Sequence, residues 1–310
     1  MEGLPRAQIR RLASFGLTTP DAHLLSEFYQ HTLDFRLLGS ERRSGPDFER
    51  LMGVDGGASA IRLGLGDEVV ELLQFDRPGR PYPEGAASSD LSFQHLAIVV
   101  ADIHLAYQRL ASGRGWTAIS TDGPQQLPAA SGGVTAFKFR DPDGHPLELL
   151  AFPNGQMPTH WQARSRGELF LGIDHSAISV ADSATSIAFY EALGLRVSAR
   201  SLNVGLQQDQ LDAVRAAQVE VTALDPEQAT PHLELLCYRS VIRSQTAIVR
   251  SQDVAATRLM FEADQPASEG AVAPQRSIDP DGHRLVLLAS TSHSPTHANT
   301  GFSPRFVQPE

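Results

Sequence analysis

The apolar residues of this chain fall into short runs separated by turn residues, and the same order of runs recurs along it. Four runs are nearly interchangeable, VELLQF (70–75), LELLAF (147–152), LELLCY (233–238) and LVLLAS (285–290), and their length and composition predict β-strands. Upstream, FGLTTPDAHLLSEFYQHTLDF (15–35) parallels SAISVADSATSIAFYEALGL (176–195). HLAIVVADIHLAYQRL (95–110) follows the same plan, and TAIVRSQDVAATRLMF (246–261) does so more weakly. Each reads as a strand, then an Asp (Asp21, Asp182, Asp102, Asp253) that caps an amphipathic helix. AIRLGLG (60–66), VTAFKFR (134–140) and AAQVEVTAL (216–224) add short strands before the closing one.

The implied unit is strand, helix and about three strands, so the chain is predicted to be α+β, with four tandem βαβββ modules, the fourth trimmed. DPDGHPLELLA (141–151) and DPDGHRLVLLA (279–289) agree at nine of eleven positions and predict an Asp-Gly turn entering a strand. DRPGRPYPEGAASSD (76–90) connects the first two modules, and PNGQMPTHWQARSRGE (153–168) links two halves. The expected domains are residues 1–160, with modules one and two, and 161–290, with modules three and four; 291–310 form a loosely held tail.

Charge narrows the partners. The 310 residues carry a net charge of −10, which disfavours nucleic acid and anionic membranes as the main partner. One cysteine, Cys237, excludes an internal disulfide and any cysteine-rich metal site, and fits a reducing cytoplasm. The N-terminal stretch lacks the apolar core of a secretory signal, and LAIVVA (96–101) is far short of a bilayer span.

QHLAIVVAD, DHSAISVAD…FYEALGL and FRDPDGHPLELLAF resemble the vicinal oxygen chelate superfamily, which includes glyoxalase I, extradiol catechol dioxygenases, methylmalonyl-CoA epimerase and the fosfomycin and bleomycin resistance proteins. The resemblance spans roughly residues 8–290. It implies that modules pair into cup-shaped mixed sheets whose concave face holds one divalent metal ion. Ligands would come from the start of a module's first strand and from a carboxylate on its last. Those slots hold Ser14, His95, His175 and Thr246, then Glu71, Glu148, Glu234 and Val286.

If modules two and three share a cup, His95, Glu148, His175 and Glu234 form one site and the other cup is vestigial. If neighbours pair, the ligands divide between Glu71, His95 and Glu148 on one side and His175 and Glu234 on the other. Ligand economy favours the first: two imidazoles and two carboxylates make a compact set for Mn, Fe(II), Ni or Zn. The resemblance then implies a glyoxalase-type isomerase or lyase that binds vicinal oxygens of a small organic substrate, with Glu234 or Glu148 moving the proton. An extradiol-type dioxygenase and a metal-free, ligand-sequestering protein are the alternatives. A homodimer is compatible with each.

A lone histidine at a strand start is ordinarily structural, but the same place in two repeats turns His95 and His175 toward ligation. Carboxylates inside strongly apolar strands need a charged partner or a metal, which favours Glu148 and Glu234 and leaves Glu71 balanced. His145 and His283 follow a turn and are expected to face solvent. Cys237 falls on the strand face opposite Glu234 and is expected to pack. Tyr238 is expected to line the cup or to donate a proton, the polar run Asn203 and Gln207 to Gln210 to be a solvated loop or one that faces substrate, and His232 to carry no chemistry.

Overall fold

The computed structural model describes residues 8–228, 230–239, 249–264 and 274–289. Module one comprises β1 (Gln8–Thr18), α1 (Ala22–Leu33), β2 (Arg36–Arg43), α2 (Pro46–Met52), β3 (Ala58–Leu65) and β4 (Glu68–Phe75). Module two has β5 (Gln94–Val100), α3 (Ile103–Ser112), the short β6 (Thr117–Ala118) and β7 (Gln125–Gln126), β8 (Thr135–Arg140) and β9 (Pro146–Ala151). A four-residue helix α4 (Thr159–Gln162) precedes module three, which has β10 (Phe170–Ser179), α5 (Ser183–Ala192), β11 (Arg196–Val204), α6 (Leu206–Asp212), β12 (Gln218–Asp225) and β13 (His232–Tyr238). Module four contributes β14 (Arg258–Asp264), β15 (Gln275–Ile278) and β16 (Arg284–Ala289). No helix among the described residues is long and apolar enough to cross a membrane.

The helices start where the aspartates predict. Asp21, Asp102 and Asp182 lie in extended backbone and accept from amides of the following turn, satisfying donors that the helix leaves open. Module four departs from this plan. Residues 249–257 hold no helix, and Asp253 caps nothing: its carboxylate accepts from Arg80 and from the Arg250 backbone amide. The module's first described strand is RLMFEAD, which begins twelve residues after Thr246, and the expected ligand slot at Thr246 lies outside the described residues, as does the expected tail at 291–310.

Two mixed, cup-shaped sheets result. One has the order β15-β16-β14-β1-β4-β3-β2, and the other β11-β12-β13-β10-β5-β9-β8-β6, with β7 beside β8. Modules one and four therefore share one cup and modules two and three the other, so each cup draws on both sides of the linker near residue 160. In each cup the two modules meet through antiparallel first strands, β5 with β10 and β1 with β14, flanked by the parallel closing strands. A continuous apolar core on the convex side joins both sheets to α1, α3 and α5.

The repeated DPDGH turns fasten neighbouring modules together. Asp141 accepts the amides of Asp143 and His145, at 3.0 and 2.9 Å, and the Tyr29 hydroxyl at 3.1 Å. His145 places Nδ1 2.8 Å from Asp141 and Nε2 3.0 Å from the Thr18 carbonyl. Asp279, Tyr190, His283 and the Ser179 carbonyl repeat the relay. Both histidines are buried, contrary to the solvent-facing expectation, because each ring crosses to the strand end of the preceding module. Burial opposes a charge on His145, yet Asp141 outweighs it and raises the ring above the ordinary histidine value.

Where β10 bulges between Phe170 and Gly172, the buried Glu68 of the other sheet accepts the Ile173 amide at 3.2 Å. Burial raises its carboxyl to about 7. An acid raised in the fold binds its proton more tightly folded than unfolded, so its contribution to stability falls as pH climbs from about 4.5 to 7. Glu68→Gln is expected to gain stability relative to the parent between pH 5 and 8, by up to about 3 kcal/mol. Urea denaturation across that range checks this, and parallel stability curves for the two proteins would refute it.

Candidate functional site

Register builds the site. In the β5–β10 pair, Leu96 faces Ser176, with His95 opposite Ala177 and Ala97 opposite His175. The histidines therefore sit diagonally across a local two-fold, on one face because side chains alternate along a strand. Ala97 also faces Glu148 on β9, and Ala177 faces Glu234 on β13. Two alanines thus form the floor among four ligand-type side chains.

The structure brings the expected residues together. Ligand atoms of His95, Glu148 and His175 lie within 4.8 Å of one another, and the two rings are 5.7 Å apart, centroid to centroid. His95 Nε2 is 2.9 Å from Glu148 Oε2. His175 Nε2 is 3.5 Å from Glu234 Oε2, and its Nδ1 is 3.0 Å from Asp174. The His232 ring lies tilted against that of His175, with centroids 5.2 Å apart, and reaches Glu234 Oε1 at 3.6 Å. Asp174, His175 and His232 form a second cluster of ligand atoms, so His232 belongs to this neighbourhood, contrary to expectation.

Electrostatics distinguish the two histidines. Burial, with Lys138, lowers His95 below the ordinary histidine value and keeps its ring neutral against the pull of Glu148. Burial also opposes a charge on His175, but Glu234 and Asp174 outweigh it and raise that ring to about 9. Against the effect of burial, His175 and His232 pull Glu234 down to about 2. His95 and Lys138 likewise lower Glu148.

The donor set fits a divalent cation. Neither ring nitrogen of the buried His95 makes a hydrogen bond of good geometry, its Nε2 meeting Glu148 off-line. Such orphaned polar atoms are rare in folded proteins. Glu148, Glu234, Asp174 and Asp212 also line one cavity, with Lys138 as its only ammonium among the described residues, so negative charge is in excess even with the His175 ring protonated.

That cavity measures about 210 Å³. Leu127, Leu150, Phe152, Leu211, Val219 and Leu236 form its apolar wall. The polar run around Gln208 is not a solvated loop: it forms α6, which lays Gln208, Leu211 and Asp212 inward. Asp212, almost fully buried, accepts from Lys138 Nζ at 2.6 Å, Gln208 Nε2 at 2.6 Å and the Tyr238 hydroxyl at 2.8 Å. Tyr238 packs on the concave side with Ala177, Val219 and Leu236 and gives its hydroxyl to Asp212, and Cys237 packs in the convex core as expected. Lys138 and Asp212 were not anticipated. The signal for Lys138 is its place in FKF: alternation sets it opposite to two core phenylalanines, facing Glu148 on β9.

The other cup is the same scaffold without the ligands. Phe15 faces Leu259 as Leu96 faces Ser176, which puts Ser14 in the place of His95 and Arg258 in that of His175. The remaining slots hold Glu71, paired with Arg43 at 2.8 Å and Arg62 at 3.5 Å, and Val286. The Arg258 guanidinium lies 5.2 Å over Phe75 and donates to Thr18 Oγ1 and the Ala256 and Ser251 carbonyls. Met52, Phe48 and Leu51 of α2, the counterpart of α6, pack into this cup with Phe75, Met260 and Val286.

Residues 11–149 match the family model of the Glyoxalase/Bleomycin resistance protein/Dioxygenase superfamily, and this part of the chain belongs to that superfamily. Glyoxalase I from Zea mays is similar in structure over 91% of this chain and 92% of its own, with a TM-score of 0.57 at 19% identity. A putative dioxygenase from Bacillus subtilis is similar over 94% and 87%, with a TM-score of 0.51 at 11% identity. At such identities the likeness is one of fold alone, and it covers both cups. No curated protein sequence matches the chain.

The buried network sets a test. Lys138→Met strands two carboxylates and is expected to cost about 3–5 kcal/mol. In a double-mutant cycle with Asp212→Asn the losses should be far from additive. Additive losses in urea denaturation would show that the ammonium and Asp212 do not depend on each other.

Proposed function

We propose that the protein is a divalent-metal-dependent enzyme of glyoxalase type, an isomerase or lyase that moves a proton on a small organic substrate bound through two vicinal oxygens. The observation that carries this is the buried His95, whose Nδ1 has no hydrogen-bond partner and whose Nε2 meets Glu148 off-line, beside His175. These three side chains and Glu234 would hold the ion. Once bound, it would supply Lewis acidity to two adjacent substrate oxygens and offset negative charge developing on them.

The chain's own groups divide the remaining work. Glu148 is fixed between His95 and the Lys138 ammonium, which suits a permanent ligand. Glu234 is the more exposed carboxylate, with contacts to His175 and His232 of 3.5 and 3.6 Å, which suits a base that swings to a substrate C–H and returns the proton. The apolar wall excludes water from the reacting carbon.

A second reading has its own support: His95, Glu148 and His175 alone make the two-histidine, one-carboxylate set of Fe(II) oxygenases. Oxygen uptake with catechols separates the two. In the first, metal-stripped protein is expected to take up one Mn(II), Ni(II), Zn(II) or Fe(II) per chain by calorimetry. His95→Ala and His175→Ala should weaken uptake by at least about tenfold, and Glu71→Gln should leave it unchanged. Glu234→Gln should retain the ion and lose solvent-deuterium exchange into a 2-hydroxy-carbonyl probe by about a hundredfold or more. Absence of uptake with every ion would favour ligand sequestration instead.

A further inference from the structure

Within this reading of the cup, one polar atom has no role in holding an ion. Gln208 is 3% exposed and lines the cavity, yet its Oε1 has no hydrogen-bond partner. The amide cannot be turned round, because Nε2 donates to Asp212 Oδ2 at 2.6 Å, and a flip would set two acceptors against each other. Asp212 is held in turn by Tyr238 on the same oxygen and by Lys138 on the other. The orphan acceptor is therefore fixed by a fully engaged carboxylate, and leaving a buried acceptor unpaired is destabilising.

Lys138 adds the complementary half. Its ammonium carries three N–H groups, of which the bond to Asp212 uses one, and Glu148 at 3.8 Å lies beyond hydrogen-bond reach. Lys138 and Gln208 hold the two oxygens of a single carboxylate and both line the cavity, so one wall carries an unused donor and an unused acceptor. A hydroxyl is the group that answers both, giving its proton to Gln208 Oε1 and accepting from Lys138 Nζ. The charge of the cup selects further. Four carboxylates against one ammonium and one divalent ion leave a negative excess, which disfavours an anionic substrate. The cavity's 210 Å³ lies below the roughly 300–1,000 Å³ typical of drug-sized ligands.

We propose that Gln208, oriented by Asp212 and working with Lys138, is a specificity-determining residue that reads a hydroxyl on a small, uncharged substrate, in addition to the vicinal oxygens presented to His95, Glu148 and His175. This rests on the metal-dependent reading above, and the test separates the two.

Glycolohydroxamate and propionohydroxamate present the same chelating oxygen pair and differ by a hydroxyl in place of a methyl group. The protein loaded with Mn(II) is expected to bind glycolohydroxamate at least about tenfold more tightly by calorimetry, since a site built for a hydroxyl rejects the analogue lacking it. The near-isosteric Gln208→Met should reduce that preference to less than about twofold while leaving propionohydroxamate affinity unchanged, which also reports that the cup is still folded. Equal affinities in the parent, or a preference that survives Gln208→Met, would overturn the role of Gln208 and leave the chelating site standing. Binding of neither compound to protein that holds its ion would overturn both.

Discussion

Antiparallel pairing of β5 with β10 is the constraint on which the rest of the site depends. Its register places His95 and His175 on opposite diagonals of one local two-fold, each with an alanine across from it. A slip by one residue would send both rings to the convex core, since side-chain direction alternates with period two. The flanking parallel strands then deliver Glu148 and Glu234 to the alanines. Four groups distant in sequence therefore converge without any loop having to position them, and rigid strands hold such groups more precisely than loops do.

The same scaffold is used twice with different side chains in its four concave slots. In the β1–β14 cup the equivalent slots carry Ser14, Glu71, Arg258 and Val286, and a fixed guanidinium occupies the concave face. There α2 supplies Phe48, Leu51 and Met52, where α6 supplies Gln208, Leu211 and Asp212 to the other cup. An apolar plug and an internal cation replace what a ligand-binding cup leaves open. The second cup still matters to the first, because the Tyr-Asp-His relays fasten module one to module two and module three to module four.

Much of this was legible in the sequence wherever the repeat stayed regular. His95, His175, Glu148 and Glu234 stood out because each occupies the same place in two modules. Legibility failed where the described strand lies away from the sequence that matches the repeat. TAIVRSQD resembles HLAIVVAD, yet the strand is RLMFEAD, so Arg258 was hidden behind the slot given to Thr246. His145 and His283 follow a turn, and nothing local tells that each ring crosses to a carbonyl of another module. Gln208 and Asp212 sit in a polar stretch whose short helix is set by its capping glycine, Gly205 at a φ of 99°, rather than by apolar periodicity.

The pseudo-symmetry also explains why two carboxylates in equivalent slots are suited to different work. Across from Glu148 on the adjacent antiparallel strand stands Lys138; across from Glu234 stands Ala223. At the strand start, module two has Pro146 where module three has His232, two residues before Glu234. One carboxylate therefore faces a permanent ammonium that cannot follow it if it moves, while the other faces a partly exposed imidazole at the mouth of the cup. Two differences on a symmetric frame thus set Glu148 beside a buried ammonium and Glu234 beside a partly exposed imidazole.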